Sequence, residues 1–230
     1  MRILVISDLH GDFTLAEKAC RELRPDLLLS CGDWGDPDQV SARDLERFLD
    51  LCTTWTTFGN HDPLALLGSA TNRDGSAVLL AQGEVRDRNG LRLAAIGGIW
   101  AKSHRMPHYV TDQDVAGWAK QIAQEGPIDV LLTHACAVGL ADLTPSGRHG
   151  GQRCFLEAQK TISPSLHLCG HLHLAQEKTL RDGRTIINVG ATPEGSVVLV
   201  QFDPATRTLR SHLESLDKRS LHWPDDAWKD

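Results

Sequence analysis

The 230-residue sequence has one tyrosine, two methionines and no C-x-x-C among its six cysteines. No apolar run approaches the ~18 residues that a membrane-spanning helix needs. Cations are outnumbered: 24 Lys+Arg against 30 Asp+Glu leave a net charge of −6, which argues against a protein that coats nucleic acid by charge alone. Cys20, Cys31, Cys52, Cys136, Cys154 and Cys169 are scattered, several inside apolar runs such as LLLSCGD and LHLCGH. Disulfide frameworks belong to short secreted chains, so reduced, mostly buried thiols are expected. The opening MRILVISDLHGD carries one basic residue and an apolar run interrupted by Ser7 and Asp8. That run is too short for the core of a secretory signal, and the expected compartment is the cytoplasm. Modest Gly and Pro with 41% hydrophobic residues exclude a collagen, a coiled coil or a disordered chain, and the length suffices for a substantial core.

What is plentiful is histidine, 11 residues beside the single tyrosine. That is more imidazole than packing needs, and its placement decides the reading.

The first part of the chain alternates strand and helix. Arg2 to Ile6 reads as a buried strand and Thr14 to Leu23 as a helix stopped by Pro25. Asp26 to Ser30 is a second strand. Ser41 with Asp44 resembles a capping box opening a helix to about Cys52, and Thr53 to Phe58 is a third strand. Val85 to Arg88 and Leu91 to Ile96 flank Asn89-Gly90, a hairpin signal. Trp100 to Val110 reads as a polar loop, Thr111 to Glu125 as a helix and Ile128 to Leu132 as a strand. A helix around Cys154 to Thr161 and a strand from Leu166 to Cys169 follow. Glu177 to Leu180 pairs with Thr185 to Val189 across Asp182-Gly183, and Val197 to Phe202 and Thr208 to His212 are further strands. Without repeat or linker, residues 1–215 read as one domain and 216–230 as a tail with isolated tryptophans. The pattern predicts an α/β layered sandwich, with two sheets between helices.

Polar residues of metal-ligand type recur just past these strands: Asp8-Leu9-His10, Gly32-Asp33, Gly59-Asn60-His61-Asp62, Thr133-His134 and Gly170-His171-Leu172-His173. Ligand crevices of open α/β sheets lie outside the carboxyl ends of the strands, so these sets could converge. Within Asp8/His10 and His171/His173 an i, i+2 spacing on extended backbone points both side chains the same way, so each pair could grip one ion. Carboxylate, imidazole and a neutral amide together suit Mn²⁺, Fe or Zn²⁺ rather than Mg²⁺ or Ca²⁺. Taken singly, an Asp after a strand is a turn former or helix cap, and a lone His is a hydrogen-bonded boundary residue. Five such sets, each at a strand end, do not share that explanation.

These motifs, complete and in order, resemble the calcineurin-like metallophosphoesterase superfamily and within it the small bacterial and archaeal phosphodiesterases. The pattern D-x-H, G-D-x-x-D, G-N-H-[DE], a lone H and G-H-x-H stands here as Asp8-Leu9-His10, Gly32-Asp33-Trp34-Gly35-Asp36, Gly59-Asn60-His61-Asp62, His134 and Gly170-His171-Leu172-His173. The resemblance implies a four-layered αββα sandwich with two mixed sheets flanked by helices. It implies two divalent metal ions, most readily Mn²⁺, one held by Asp8, His10 and His173, the other by Asn60, His134 and His171, with Asp33 bridging. His61 would stabilise phosphate or protonate the leaving oxygen, Asp62 would orient His61, and Asp36 would support from behind. The implied chemistry is direct hydrolysis by a metal-activated water, with no nucleophilic side chain.

Substrate is less legible. The loop Thr144-Pro145-Ser146-Gly147-Arg148-His149-Gly150-Gly151 lies in a segment, THACAVGLADLTPSGRHGGQ, similar to one that reaches substrate in such phosphodiesterases, which makes His149 and Arg148 candidate contacts. Lys102 to Tyr109 forms either another rim or a solvated loop. The favoured activity is a metal-dependent phosphodiesterase on nucleotide or nucleic-acid diesters, a Mn²⁺-dependent nuclease included. A phosphomonoesterase or protein phosphatase comes second, and a catalytically silent scaffold is the reading from another class. Nucleic acid enters as a substrate, not as a charge-coated partner, and no membrane partner is expected. Asp8 and Asp33 carry −2 against about +4 from two divalent ions, so an acidic chain can still offer a locally anion-seeking site.

Overall fold

A computed structural model of the chain describes residues 1–216 and Trp223. In chain order the first half contains β1 (Arg2–Ile6), α1 (Thr14–Leu23), β2 (Leu27–Ser30), α2 (Ala42–Leu49), β3 (Thr53–Thr56), α3 (Leu64–Ser69), β4 (Val85–Arg88), β5 (Leu91–Ile96), β6 (Ile99–Trp100), β7 (Tyr109–Val110) and α4 (Asp112–Gln124). The second half adds β8 (Val130–Thr133), α5 (Arg153–Ile162), β9 (Leu166–Cys169), β10 (Gln176–Thr179), β11 (Thr185–Asn188), β12 (Ser196–Asp203) and β13 (Thr208–Ser215).

Two sheets form. One has the order β13-β12-β1-β2-β3, the other β10-β11-β9-β8-β5-β4. Each contains a parallel run (β1-β2-β3 and β5-β8-β9-β11); antiparallel hairpins lie at one margin of the first sheet (β12-β13) and at both margins of the second (β4-β5 and β10-β11). Alternation of side chains along the strands explains the layering. Ile3, Val5, Leu27 and Leu29 of the first sheet meet Leu93, Val130, Leu132 and Leu168 of the second in one buried cluster. The opposite faces carry Leu4, Ile6 and Leu28 against α1, α2 and α3, and Ala94, Ile96 and Leu131 against α4 and α5. The result is the expected four-layered αββα sandwich.

The local signals hold in most places. Ser41 and Asp44 make a full capping box on α2, and Thr111 and Asp114 make another on α4. Asn89 and Gly90 both take positive φ in the β4–β5 turn, as that hairpin requires. Two features differ from the sequence reading. The six-residue helix α3 follows Pro63 on the apolar run Leu64-Ala65-Leu66-Leu67, too short for a periodic signature. The segment read as a polar loop between Trp100 and Val110 is closed at its base by β6 pairing in parallel with β7. No described helix is long and apolar enough to cross a membrane.

Of the expected tail, 216–230, only Leu216 and Trp223 lie within the described residues; Trp228 does not. Trp223 packs on the α1 side of the first sheet, donates its indole N–H to Leu23 O at 2.7 Å and lies under the Arg2 guanidinium, 5.5 Å from its ring centre. Trp223→Ala should therefore lower unfolding free energy by about 1–2 kcal/mol, from one hydrogen bond and one cation–π contact, as read from denaturant titration. An unchanged midpoint would show that the indole adds nothing to the domain.

Candidate metal centre

The parallel strands β1, β2, β3, β8 and β9 all end on the same side, and the chain turns sharply as it leaves them. Asp8, His10, Asp33, His171 and His173 have φ of 52°, 46°, 56°, 71° and 57°. Left-handed backbone costs a non-glycine residue roughly 1–3 kcal/mol and persists only where its surroundings enforce it. The side chains of Asp8 and His10 thus converge through left-handed turns, and not through the extended backbone inferred from their i, i+2 spacing. The same geometry splits His171 from His173, so that pair does not grip one point together.

Two groups of donor atoms result: Asp8, His10 and His173, and Asp33, His134 and His171, the atoms of each lying within 4.8 Å of one another. In the first group His10 Nε2 is 3.1 Å from His173 Nε2, and His173 Nε2 is 3.5 Å from Asp8 Oδ1. In the second, His134 Nε2 is 3.4 Å from Asp33 Oδ2 and 3.3 Å from Asn60 Oδ1, which brings Asn60 into the set. Asp33 joins the groups. Its Oδ1 accepts the His61 backbone N–H at 2.7 Å, while Oδ2 lies 3.8 Å from His10 Nε2 as well as 3.4 Å from His134.

Close approach explains the glycines of the motifs. A Cβ on Gly59 would fall 2.1 Å from Asp33 Oδ1 and 2.6 Å from His134 Nε2, and one on Gly170 would fall 2.0 Å from Ser7 Oγ and 2.5 Å from Asp8 Oδ2. Hydrogen bonds fix the donors from behind. Ser7 Oγ donates to Asp8 Oδ2 at 2.5 Å, and the His171 N–H reaches both Asp8 oxygens at 3.0 and 3.1 Å. His134 Nδ1–H donates to Cys31 O at 2.9 Å, which turns the Nε2 lone pair toward Asp33 and Asn60.

The electrostatics belong to a site built for cations. Burial works against ionisation of Asp33, yet His134, the His61 N–H and His10 together hold its carboxyl well below the usual carboxylate range. Burial likewise disfavours charge on His134, but Asp33 and Asp8 push it up to about 9. Burial and the neighbouring His134 push His171 down to about 4. Two carboxylates with essentially no exposure face four imidazoles. Mixed oxygen and nitrogen donors of this kind fit divalent Mn, Fe or Zn.

His61 stands at the open edge, its ring 5.1 Å from that of His10, with Nδ1–H donated to Asp36 Oδ1 at 3.0 Å. This corrects the expectation that Asp62 orients His61. Asp62 is 2% exposed and its oxygens accept three backbone N–H groups, of Asp33 at 2.8 Å, Trp34 at 2.7 Å and Gly59 at 2.7 Å. It ties the turn after β2 to the turn after β3, and Asp36 is the residue that holds the imidazole. A carboxylate that follows the histidine in sequence is indistinguishable, by sequence alone, from one that touches it. The other candidates lie outside the donor groups. His149 is exposed and donates Nδ1–H to the buried Asp142 at 2.7 Å, and Arg148 is exposed on the same loop. That loop abuts the metal-ligand turn, because a Cβ on Gly150 would meet Leu172 at 2.9 Å. Sequence reasoning missed Asp142; His108, within the Lys102 to Tyr109 stretch read as a rim or a solvated loop, donates Nε2–H to Asp62 O at 2.8 Å.

Two outcomes follow from this arrangement. Asp62→Ala orphans three buried N–H groups and should cost at least about 2 kcal/mol of stability. Asp36→Ala, at a half-buried position, should change stability by under about 0.5 kcal/mol while lowering turnover roughly tenfold. Thermal unfolding beside a hydrolysis assay separates them, and equal destabilisation by both would contradict the assignment. In addition, His134 is protonated at neutral pH when no ion is bound and must lose that proton to coordinate. Calorimetric Mn²⁺ affinity should therefore climb between pH 6 and about 9, by up to tenfold per pH unit. A flat profile would mean that His134 is no ligand.

No curated protein matches the chain in sequence. Solved structures share its fold at low identity. TT1561 of Thermus thermophilus superposes with a TM-score of 0.66 at 16% identity, covering 92% of this chain and 97% of that one. A putative 5′-nucleotidase from Staphylococcus aureus, in complex with alpha-ketoglutarate, gives 0.62 at 14% identity over 98% of this chain and 56% of that one. Vps29 complexed with Zn²⁺ from Entamoeba histolytica gives 0.50 at 11% identity over 94% and 100%. The family model for calcineurin-like phosphoesterase matches residues 1–175, a stretch that holds all five ligand-bearing strand ends. With its two ligand groups placed as a candidate dinuclear divalent metal centre, the chain belongs to the calcineurin-like phosphoesterase family.

Proposed function

We propose that this chain is a two-metal phosphodiesterase acting on diesters of nucleotide or nucleic-acid type, a Mn²⁺-dependent nuclease being one form of that activity. The observation that carries the reading is Asp33 Oδ2, a single buried oxygen that faces both ligand groups, 3.8 Å from His10 and 3.4 Å from His134. Asp8, His10 and His173 would hold one ion, and Asn60, His134 and His171 the other, with Asp33 shared. When bound, such ions supply Lewis-acid charge and lower the pKa of a coordinated water toward ~7.

The chain's own residues do the rest. His61, with Nδ1 engaged by Asp36, keeps Nε2 for the leaving oxygen or for charge on the phosphoryl group. His149 and Arg148 stand on the neighbouring loop as substrate contacts. A covalent route has little support: Ser7 Oγ is buried and already donates to Asp8, and burial pushes the Cys31 thiol well up. About +4 from two ions against the −2 of Asp8 and Asp33 leaves a locally positive site that attracts a phosphate ester. Six free cysteines support action in a reducing compartment such as the cytoplasm.

Loaded with Mn²⁺, the protein should hydrolyse an aromatic phosphodiester faster than the corresponding monoester, and a chelator should abolish both activities. His61→Ala should lower turnover by about 10²–10⁴-fold with bound metal unchanged by elemental analysis. A preference for the monoester would make the chain a phosphomonoesterase, and no hydrolysis with both metals bound would make it a scaffold.

A further inference from the structure

Among the described residues only three large hydrophobic side chains are exposed: Met106 at 50%, Leu143 at 41% and Leu174 at 40%. Each lies on a segment linked to the turns of the metal centre. Leu174 directly follows the ligand His173. Leu143 sits on the loop that rests against Leu172, and Met106 is two residues from His108, which bonds the His61-Asp62 turn.

Leu143 and Leu174 are joined by one side chain. Gln176 accepts the Leu143 N–H on Oε1 at 2.9 Å, and its Nε2 donates to Leu143 O at 2.7 Å and to Leu174 O at 3.2 Å. The loop that carries Leu143 is braced from within as well. The buried Asp142 carboxylate accepts from His149 at 2.7 Å and from the Gly151 N–H at 3.0 Å, and Gly150 N–H bonds Asp142 O at 2.9 Å. Gln176 thus ties together the backbones of two exposed leucines, one of which directly follows the ligand His173.

From this placement we infer that Leu143 and Leu174 form a platform for a flat, uncharged ring on the non-leaving side of the ester, a nucleobase in a nucleotide substrate, with Gln176 as the positioning residue that sets the platform. The area decides the occupant. Two leucines at two-fifths exposure present on the order of 100 Å², close to the contact of one aromatic ring and far below the ~800 Å² per partner of a stable protein interface. Because Leu174 directly follows the ligand His173, a ring on this platform would belong to the molecule whose phosphate meets the metals. The inference rests on the phosphoesterase reading above and narrows its substrate class.

The test is equilibrium binding to the Mn²⁺-loaded protein of two phosphates that differ only in the group carried, thymidine 5′-monophosphate and methyl phosphate. The wild type should bind the thymidine compound at least tenfold more tightly. Leu143→Ser/Leu174→Ser should erase that preference and leave methyl phosphate binding unchanged, and Gln176→Ala should reduce it about threefold. Equal affinities in the wild type, or a preference that survives the double substitution, would overturn the platform. Hydrolysis of methyl p-nitrophenyl phosphate, run beside the titrations, reads the diesterase activity separately. Its absence would sink that activity while the titrations still decide the platform.

Discussion

Two carboxylates with almost no solvent, Asp8 and Asp33, stand within 4 Å of imidazoles that burial itself would keep neutral. Isolated buried anions cost several kcal/mol each, and clustered imidazoles resist taking up protons together. Divalent cations resolve both conflicts at once, and the rest of the site is arranged to hold the cluster open for them. Five left-handed residues, glycines with no room for a Cβ, and a buried Asp62 that fastens two turns are all costs of that arrangement. A fold under no such demand would relax these turns.

The stiffness of the sandwich makes the cluster possible. Strands β1, β2, β8 and β9 are aliphatic, buried on both sides and set in parallel, so their ends are fixed to each other by the shared core. Short turns then deliver one or two donors apiece. The loops around the opening are of another kind. They are anchored by specific side chains, His108 on Asp62 O, Gln176 on Leu143 and Leu174, and Asp142 on His149, and their exposed residues can vary without disturbing the ligands. That division separates the reaction, which belongs to the strand ends, from selectivity, which belongs to the rim.

Much of this is legible in the residues alone. The short aliphatic runs and hairpin signals place most strands within a residue or two, and ordered Asp, His and Asn at successive strand ends point to one metal-binding edge. Three things are not. Backbone hand at Asp8, His10, His171 and His173 is only weakly marked by residue type, since Asp and His favour left-handed backbone far less than Gly does. The partner of His61 depends on how the turn after β2 folds back, which sequence adjacency to Asp62 obscures. Gln176 acts on backbone groups of a distant loop and Asp142 on groups across its own loop, and no spacing rule announces such bonds.

If Asp33 ties two ions into one centre, electron paramagnetic resonance of the Mn²⁺-loaded protein reads it without intermediate steps, because ions sharing a carboxylate at ~3.5–4 Å couple their spins. The expected result is two Mn²⁺ per chain with an exchange-coupled spectrum, replaced in Asp33→Asn by the spectrum of isolated Mn²⁺. One ion per chain, or two that are magnetically independent in the unaltered protein, would contradict the bridging role of Asp33.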